Sequence, residues 1–152
     1  MSALELKSIL LVEDSANDIE LTLLALERAG LRNPVHVVRD GADALDYLRH
    51  QNKWAERKPA EPGVILLDKK LPRLDGHEVL AAIKTDPALK HIPVVMLTSS
   101  REEIDLLKSY DLGVNAYVVK PVQFEDFMEA IRDLGSFWMV LNEGRPGRKT
   151  GR

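Results

Sequence analysis

Five polar residues of this chain stand where apolar runs end, and their types suit one chemistry. Glu13 and Asp14 follow Ser8-Ile9-Leu10-Leu11-Val12, and Asp68 follows Val64-Ile65-Leu66-Leu67. Thr98 follows Ile92-Pro93-Val94-Val95-Met96-Leu97, and Lys120 follows Ala116-Tyr117-Val118-Val119. Three carboxylates that converge repel one another, so they must share protons or bind a cation. Oxygen ligands without histidine or cysteine select Mg2+ or Mn2+, and Mg2+ typically keeps waters and recruits a phosphate oxygen. The Thr98 hydroxyl and the Lys120 ammonium suit the oxygens of a phosphoryl group and the neutralisation of its charge. In that chemistry Asp68 is the nucleophile and forms an aspartyl phosphate. Each residue taken singly has a plainer role: an Asx turn for Asp68, a cap or turn for Thr98, a solvated cation for Lys120. Their recurrence at the ends of separate strands is what argues for a site.

The elements that must position them alternate along the chain. Short apolar runs bounded by turn residues read as strands buried on both faces. Val35-His36-Val37-Val38 adds one more, giving five strands in all. Ser15 caps a first helix with Asp18 as its capping-box partner, Ile19, Leu23 and Leu26 follow at helical spacing, and Gly30 closes it. Ala42 to Leu48 is helical, and residues 51 to 63 form the longest connection. Val79, Leu80 and Ile83 mark a third helix. Ser100 caps a fourth with Glu103 as box partner and Ile104, Leu107 and Tyr110 inward, and Phe124, Phe127, Ile131 and Leu134 line a fifth. Strands alternating with helices predict right-handed crossovers and a parallel sheet covered on both faces. The expected architecture is a three-layer α/β sandwich of flavodoxin-like (βα)5 type, with strand order 2-1-3-4-5 and its switch point between strands one and three. Glu13, Asp14 and Asp68 gather in that crevice, with Asp68 expected at a sheet edge facing solvent.

Composition limits the function classes. The 152 residues, 45% hydrophobic and 30% charged, fit one domain of ordinary make-up. No apolar run approaches the ~20 residues that span a bilayer, and Met1 to Glu5 lack the pattern of a signal peptide, so a cytoplasmic protein is expected. With no cysteine, disulfides and thiolate chemistry are excluded, and His36, His50, His77 and His91 stand apart without metal-ligand spacing. Arg145, Arg148, Lys149 and Arg152 concentrate charge at the end, leaving 17 basic against 24 acidic groups before residue 145, a net −7. An acidic body argues against a nucleic-acid surface. The expected organisation is a single domain over residues 1–143 and a disordered basic tail over 144–152.

Together these residues resemble the receiver domain of two-component response regulators, over nearly the whole chain from Ile9 to about Leu134. Glu13-Asp14 looks like the family's acidic pair, Asp68 its phosphoacceptor, and Pro72 with Asp75-Gly76 the turn after it. Thr98 looks like the switch hydroxyl, Tyr117 the switch aromatic, and Lys120-Pro121 the Lys-Pro pair, whose bond is then expected to be cis. The resemblance implies Mg2+ held by Asp14, Asp68 and the backbone carbonyl of Lys70, with Glu13 acting through a metal-bound water. Val12-Glu13-Asp14-Ser15, Asp40-Gly41, Ala44 to Leu48, Pro93 to Ser100 and Phe137-Trp138 are similar to small single-domain regulators paired with phytochrome-type histidine kinases. The implied function is to accept a phosphoryl group from such a kinase and signal by protein contact or onward phosphotransfer.

Two features depart from the plain pattern. The position after the phosphoacceptor is usually apolar in that family and here is Lys69, followed by Lys70. Either both are solvated, or one ammonium pairs with Glu13 or the phosphoryl group and slows attack by water. Phe137-Trp138-Met139-Val140-Leu141 is apolar all round, more than one face of a helix against a sheet can bury. A homodimer through the C-terminal helix is expected to cover it, against the alternative that it folds back over its own core. Two other functions compete. A phosphatase with an aspartyl phosphate needs a second Asp two residues on, where Lys70 stands and cannot act as an acid at neutral pH, so no enzyme is expected. A phosphorylation-independent binding module with the same fold would not need the acidic pair, Asp68, Thr98 and Lys120.

Overall fold

The computed structural model describes residues 7–58 and 60–133. The strands are β1 (Ile9–Val12), β2 (Val35–Val38), β3 (Val64–Asp68), β4 (Val94–Thr98) and β5 (Ala116–Val119). The helices are α1 (Ala16–Arg28), α2 (Gly41–Arg49), α3 (Gly76–Thr85), α4 (Arg101–Ser109) and α5 (Phe124–Asp133), with a 3-10 turn over Asn52–Trp54. All strand pairs are parallel and the order is β2-β1-β3-β4-β5, the expected flavodoxin-like arrangement.

Every residue of β1, β3 and β4 is buried, which is why these runs are apolar without alternation. Their side chains still alternate between faces. Ile9, Leu11, Leu66, Leu97 and Val118 join Leu26 of α1 and Phe127 of α5 on one side. Leu10, Leu67 and Met96 join Leu48, Leu80 and Leu107, from α2, α3 and α4, on the other. Continued past the strand ends, this alternation directs Glu13, Asp68 and Lys120 toward the α1 side and Thr98 toward the α4 side.

The helix ends follow the sequence with adjustments. Ser15 accepts the Asp18 N–H at 3.3 Å, but the Asp18 carboxylate does not close a capping box; it turns to Lys120. Ser100 accepts the Glu103 N–H at 3.2 Å, and Glu103 accepts from the Ser99 N–H at 2.9 Å, one residue before the expected cap. α3 starts with a reciprocal contact that was not expected, the Asp75 N–H donating to Glu78 Oε1 at 3.0 Å. Leu23 is 38% exposed, because the inward stripe of α1 runs through Thr22, Ala25 and Leu26. Tyr110 is 49% exposed rather than inward, since α4 ends at it. The domain limit at 143, the basic tail and the dimer contact through Phe137 and Trp138 lie outside the described residues. Among the described residues no helix is long and apolar enough to cross a membrane.

Candidate functional site

The pairing of Val12 with Leu67 sets Glu13 level with Asp68 at the carboxyl ends of neighbouring strands. Ligand oxygens of Glu13, Asp14 and Asp68 all lie within 4.8 Å of one another. Glu13 is fully buried and Asp68 is 3% exposed, while Asp14 is exposed. Asp68 therefore does not face solvent as expected. The start of α3 covers the strand end: the Gly76 N–H donates to the Lys69 carbonyl at 2.8 Å, and a Cβ on Gly76 would collide with the Asp68 carbonyl and the Lys69 backbone.

One cation organises the cluster. Lys120 Nζ lies 2.9 Å from Asp68 Oδ1, 3.3 Å from Glu13 Oε1 and 2.9 Å from Asp18 Oδ2, and its side chain is 16% exposed. The Lys120 N–H donates to the Thr98 carbonyl, holding the loop after β5 against β4, and the Lys120–Pro121 peptide is cis, as the resemblance implied. Asp18 is the member of this pocket that sequence reasoning missed. Its place three residues after Ser15 drew it into a cap, whereas the first turn of α1 brings its carboxylate over the pocket.

The electrostatics are those of too much negative charge in a dry place. Burial, and then the charge of Asp68, push the Glu13 carboxyl up from 4.5 to about 7, against the Ser15 N–H and Lys120, which act the other way. Burial also raises Asp68, opposed mainly by its bond to Lys120. For Lys120 burial pulls down, but bonds to Asp18 and Asp68 and the nearby charges outweigh it and hold the ammonium well above the ordinary lysine range. Among the described residues one ammonium thus meets three carboxylates, with the Asp14 carboxylate beside them. The residues fit a divalent cation on that ground: hard oxygen donors within reach of one another, and an unneutralised surplus of negative charge.

The other expected residues are placed with different results. Thr98 is fully buried at the end of β4, and its hydroxyl donates to the Ser100 carbonyl at 3.3 Å. Tyr117 is half-buried on the α4 side of β5, with Lys108 Nζ 5.6 Å from its ring centre. It lines a cavity of about 610 Å3 with Ile104 and Lys108 of α4 and Glu129 of α5. Lys70 is exposed. Lys69 does not turn to Glu13; its Nζ lies 3.7 Å from Asp75 Oδ2. The four histidines are exposed or half-buried, outside this cluster.

The family model of the response regulator receiver domain matches residues 9–132. The chain belongs to the response regulator receiver family. Among curated relatives, this receiver is 43% identical to the response regulator Rcp1 of Synechocystis sp., over 88% of this chain and 89% of that one. It is 41% identical to the probable methanogenesis regulatory protein FilR2 of Methanothrix harundinacea, over 91% of this chain and 87% of that one. Among solved structures it is similar to the bacteriophytochrome response regulator RtBRR, at 60% identity and a TM-score of 0.86, covering 95% of this chain and 87% of that one. Rcp1 has been solved in a Mn2+-bound form, whose chain is 42% identical with a TM-score of 0.71, covering 90% of this chain and 96% of that one. Receivers are in general signalling proteins of two-component systems rather than enzymes, and they bind a divalent metal at an acidic pocket, to which the Glu13, Asp14 and Asp68 cluster corresponds.

Proposed function

We propose that this receiver takes a phosphoryl group on Asp68 from a phosphohistidine of a histidine kinase of the phytochrome type, with Mg2+ at the acidic cluster. The observation that carries the reading is the Lys120 ammonium on Asp68 Oδ1 at 2.9 Å, inside a ring of further carboxylates. A carboxylate oxygen of Asp68 forms the new bond to phosphorus as the N–P bond of the donor breaks, and the electron pair leaves on the imidazole nitrogen. Asp14 and Asp68 would hold the cation together with the Lys70 carbonyl, with Glu13 behind a bound water, and the cation supplies charge neutralisation for the phosphoryl oxygens. Lys120 holds Asp68 in one orientation beforehand and is positioned to pair with a phosphoryl oxygen afterwards. Burial of Asp68 and Glu13 keeps bulk water from both.

Thr98 and Tyr117 are the proposed switch. The Thr98 hydroxyl is bound to the Ser100 carbonyl, a weaker partner than a phosphoryl oxygen, so phosphorylation favours its transfer. Tyr117, beside the cavity between α4, β5 and α5, would then change the surface that a partner reads. Pairing with a phytochrome-type kinase is supported by the likeness to RtBRR and Rcp1. A homodimer through Phe137 and Trp138 and a cytoplasmic location complete the proposal, both resting on the sequence. The test is intact-protein mass after exposure to acetyl phosphate with and without Mg2+. One phosphoryl adduct that requires the metal and disappears in Asp68→Asn supports the reading, and a folded protein with no adduct under any condition overturns it in favour of a binding module that keeps the receiver fold.

A further inference from the structure

Lys69, next to the proposed phosphoacceptor, is held at three points. Its N–H donates to the Leu97 carbonyl at 3.0 Å, its carbonyl accepts the Gly76 N–H at 2.8 Å, and its ammonium lies 3.7 Å from Asp75 Oδ2. The Lys69 side chain is only 15% exposed, so this pair is less screened than one on an open surface. The same Asp75 oxygen is 2.9 Å from His77 Nδ1, which fixes the imidazole at the first turn of α3. That ring stacks on Tyr110, with centres 6.0 Å apart and planes inclined by 22°. Tyr110 is the residue at which α4 ends, and α4 buries only Ile104 and Leu107. A helix held by two buried side chains belongs to the easily opened part of a fold, so one surface stack at its end carries weight.

We propose that Lys69, Asp75, His77 and Tyr110 form a positioning link through which the phosphoacceptor loop holds α4, and that phosphorylation of Asp68 releases α4 by drawing Lys69 away from Asp75. The second half rests on Asp68 being the phosphoacceptor; the first half does not. Among the described residues the Lys69 ammonium pairs with one carboxylate, Asp75, which lies outside the pocket. A phosphoryl group on the adjacent residue adds negative charge that competes for that ammonium. Asp75 then loses a cation, the His77 ring loses a fixed anchor, and the stack on Tyr110 weakens. This route to α4 runs over the surface of α3, apart from the route inside the fold through Thr98 and Tyr117.

Amide hydrogen exchange over residues 104–110, measured in parent, Lys69→Met, Tyr110→Ala and the double variant without phosphorylation, tests the link. Each single change is expected to speed exchange there about threefold or more. The double variant is expected to add little beyond the larger single effect, as members of one link should. Lys69→Arg and Tyr110→Phe keep the pair and the stack and are expected to match the parent, and His77→Leu, at a half-exposed position, serves if a Lys69 variant does not fold. Unchanged exchange in Lys69→Met or His77→Leu, or effects of Lys69→Met and Tyr110→Ala that simply multiply, overturns the link. Acetyl phosphate with Mg2+ is then expected to speed exchange over 104–110 in the parent and by a clearly smaller factor in Lys69→Met; equal factors overturn the release. If no adduct forms, the phosphoacceptor reading fails while the first measurement still decides the link.

Discussion

Two half-buried lysines sit at opposite ends of the sheet, and only one of them makes a site. Lys120, just after β5, is bonded to Asp18, Asp68 and Glu13, and their charges hold its ammonium above the ordinary range against the effect of burial. Lys84, at the end of α3, donates to the carbonyls of Lys90 and Ile92 at 3.2 and 3.0 Å, and burial pushes its ammonium down. Burial is common to both. What differs is that the partners of Lys84 are neutral and already belong to the turn before β4, whereas the partners of Lys120 come from β1, α1 and β3 and carry more charge than one cation can balance. A local excess of buried charge, not a buried charge as such, marks the end of the sheet that is ready to receive a cation and a phosphoryl group.

Breaking the carboxyl end should have the largest effect. Lys120→Met leaves the Glu13 and Asp68 carboxylates without their ammonium, and transfer from acetyl phosphate, followed by mass, is expected to slow by about 100-fold or more, the scale for losing a preorganised electrostatic partner. Gly76→Ala sets a methyl group against the Asp68 carbonyl and the Lys69 backbone. Urea unfolding should show a loss of ~1 to 3 kcal/mol, typical of overpacking, together with weaker Mg2+ binding because Asp68 and the loop after it must shift.

A finer test uses the Glu13 carboxyl. Its folded-state value near 7 lies above its ordinary 4.5, so the folded protein keeps a proton that the unfolded chain gives up. In metal-free buffer, the Glu13 contribution to stability is therefore expected to be fully present below 4.5, to be lost as pH rises toward about 7 and to stay lost above it. The stability of the parent relative to Glu13→Gln in urea titrations should therefore fall as pH rises through that window, and a difference that does not change with pH there would contradict the assignment. Smallest is the amino end. Lys84→Met removes two hydrogen bonds to carbonyls and should cost ~1 kcal/mol or somewhat more in urea unfolding, while acetyl phosphate transfer stays at the parent rate.

The fold was legible because β1, β3 and β4 are buried on both faces and so are written as unbroken apolar runs, each ending in the polar residue that matters. Glu13 and Asp68 could be placed at one rim for the same reason, and Lys120 because it ends the apolar run of β5, although that strand is half-buried at alternate residues. What could not be read was depth and direction. Asp68 looked solvent-facing because nothing in Val64 to Leu67 tells that α3 closes over the strand end, a closure that depends on the missing side chain of Gly76. Asp18 and Glu103 stood at box spacing, yet a carboxylate follows the strongest donor within reach, which for Asp18 is an ammonium a hundred residues away in sequence. Asp75 was read as a turn residue and is also the partner of Lys69 and His77, contacts that spacing along the chain does not encode. Tyr110 fell at helical spacing but just past Ser109, the last residue of α4, where the period no longer sets which way a side chain points.

The claim on which the rest depends is that Asp68, and not another acid of the same cluster, carries the phosphoryl group. Borohydride reduction of the phosphorylated protein converts an acyl phosphate to the alcohol, so that the modified aspartate reads as homoserine in peptide mass spectra. Homoserine at position 68 alone is the predicted result. Homoserine at Asp14 or Asp18, or a glutamate-derived alcohol at Glu13, with Asp68 intact, would contradict it.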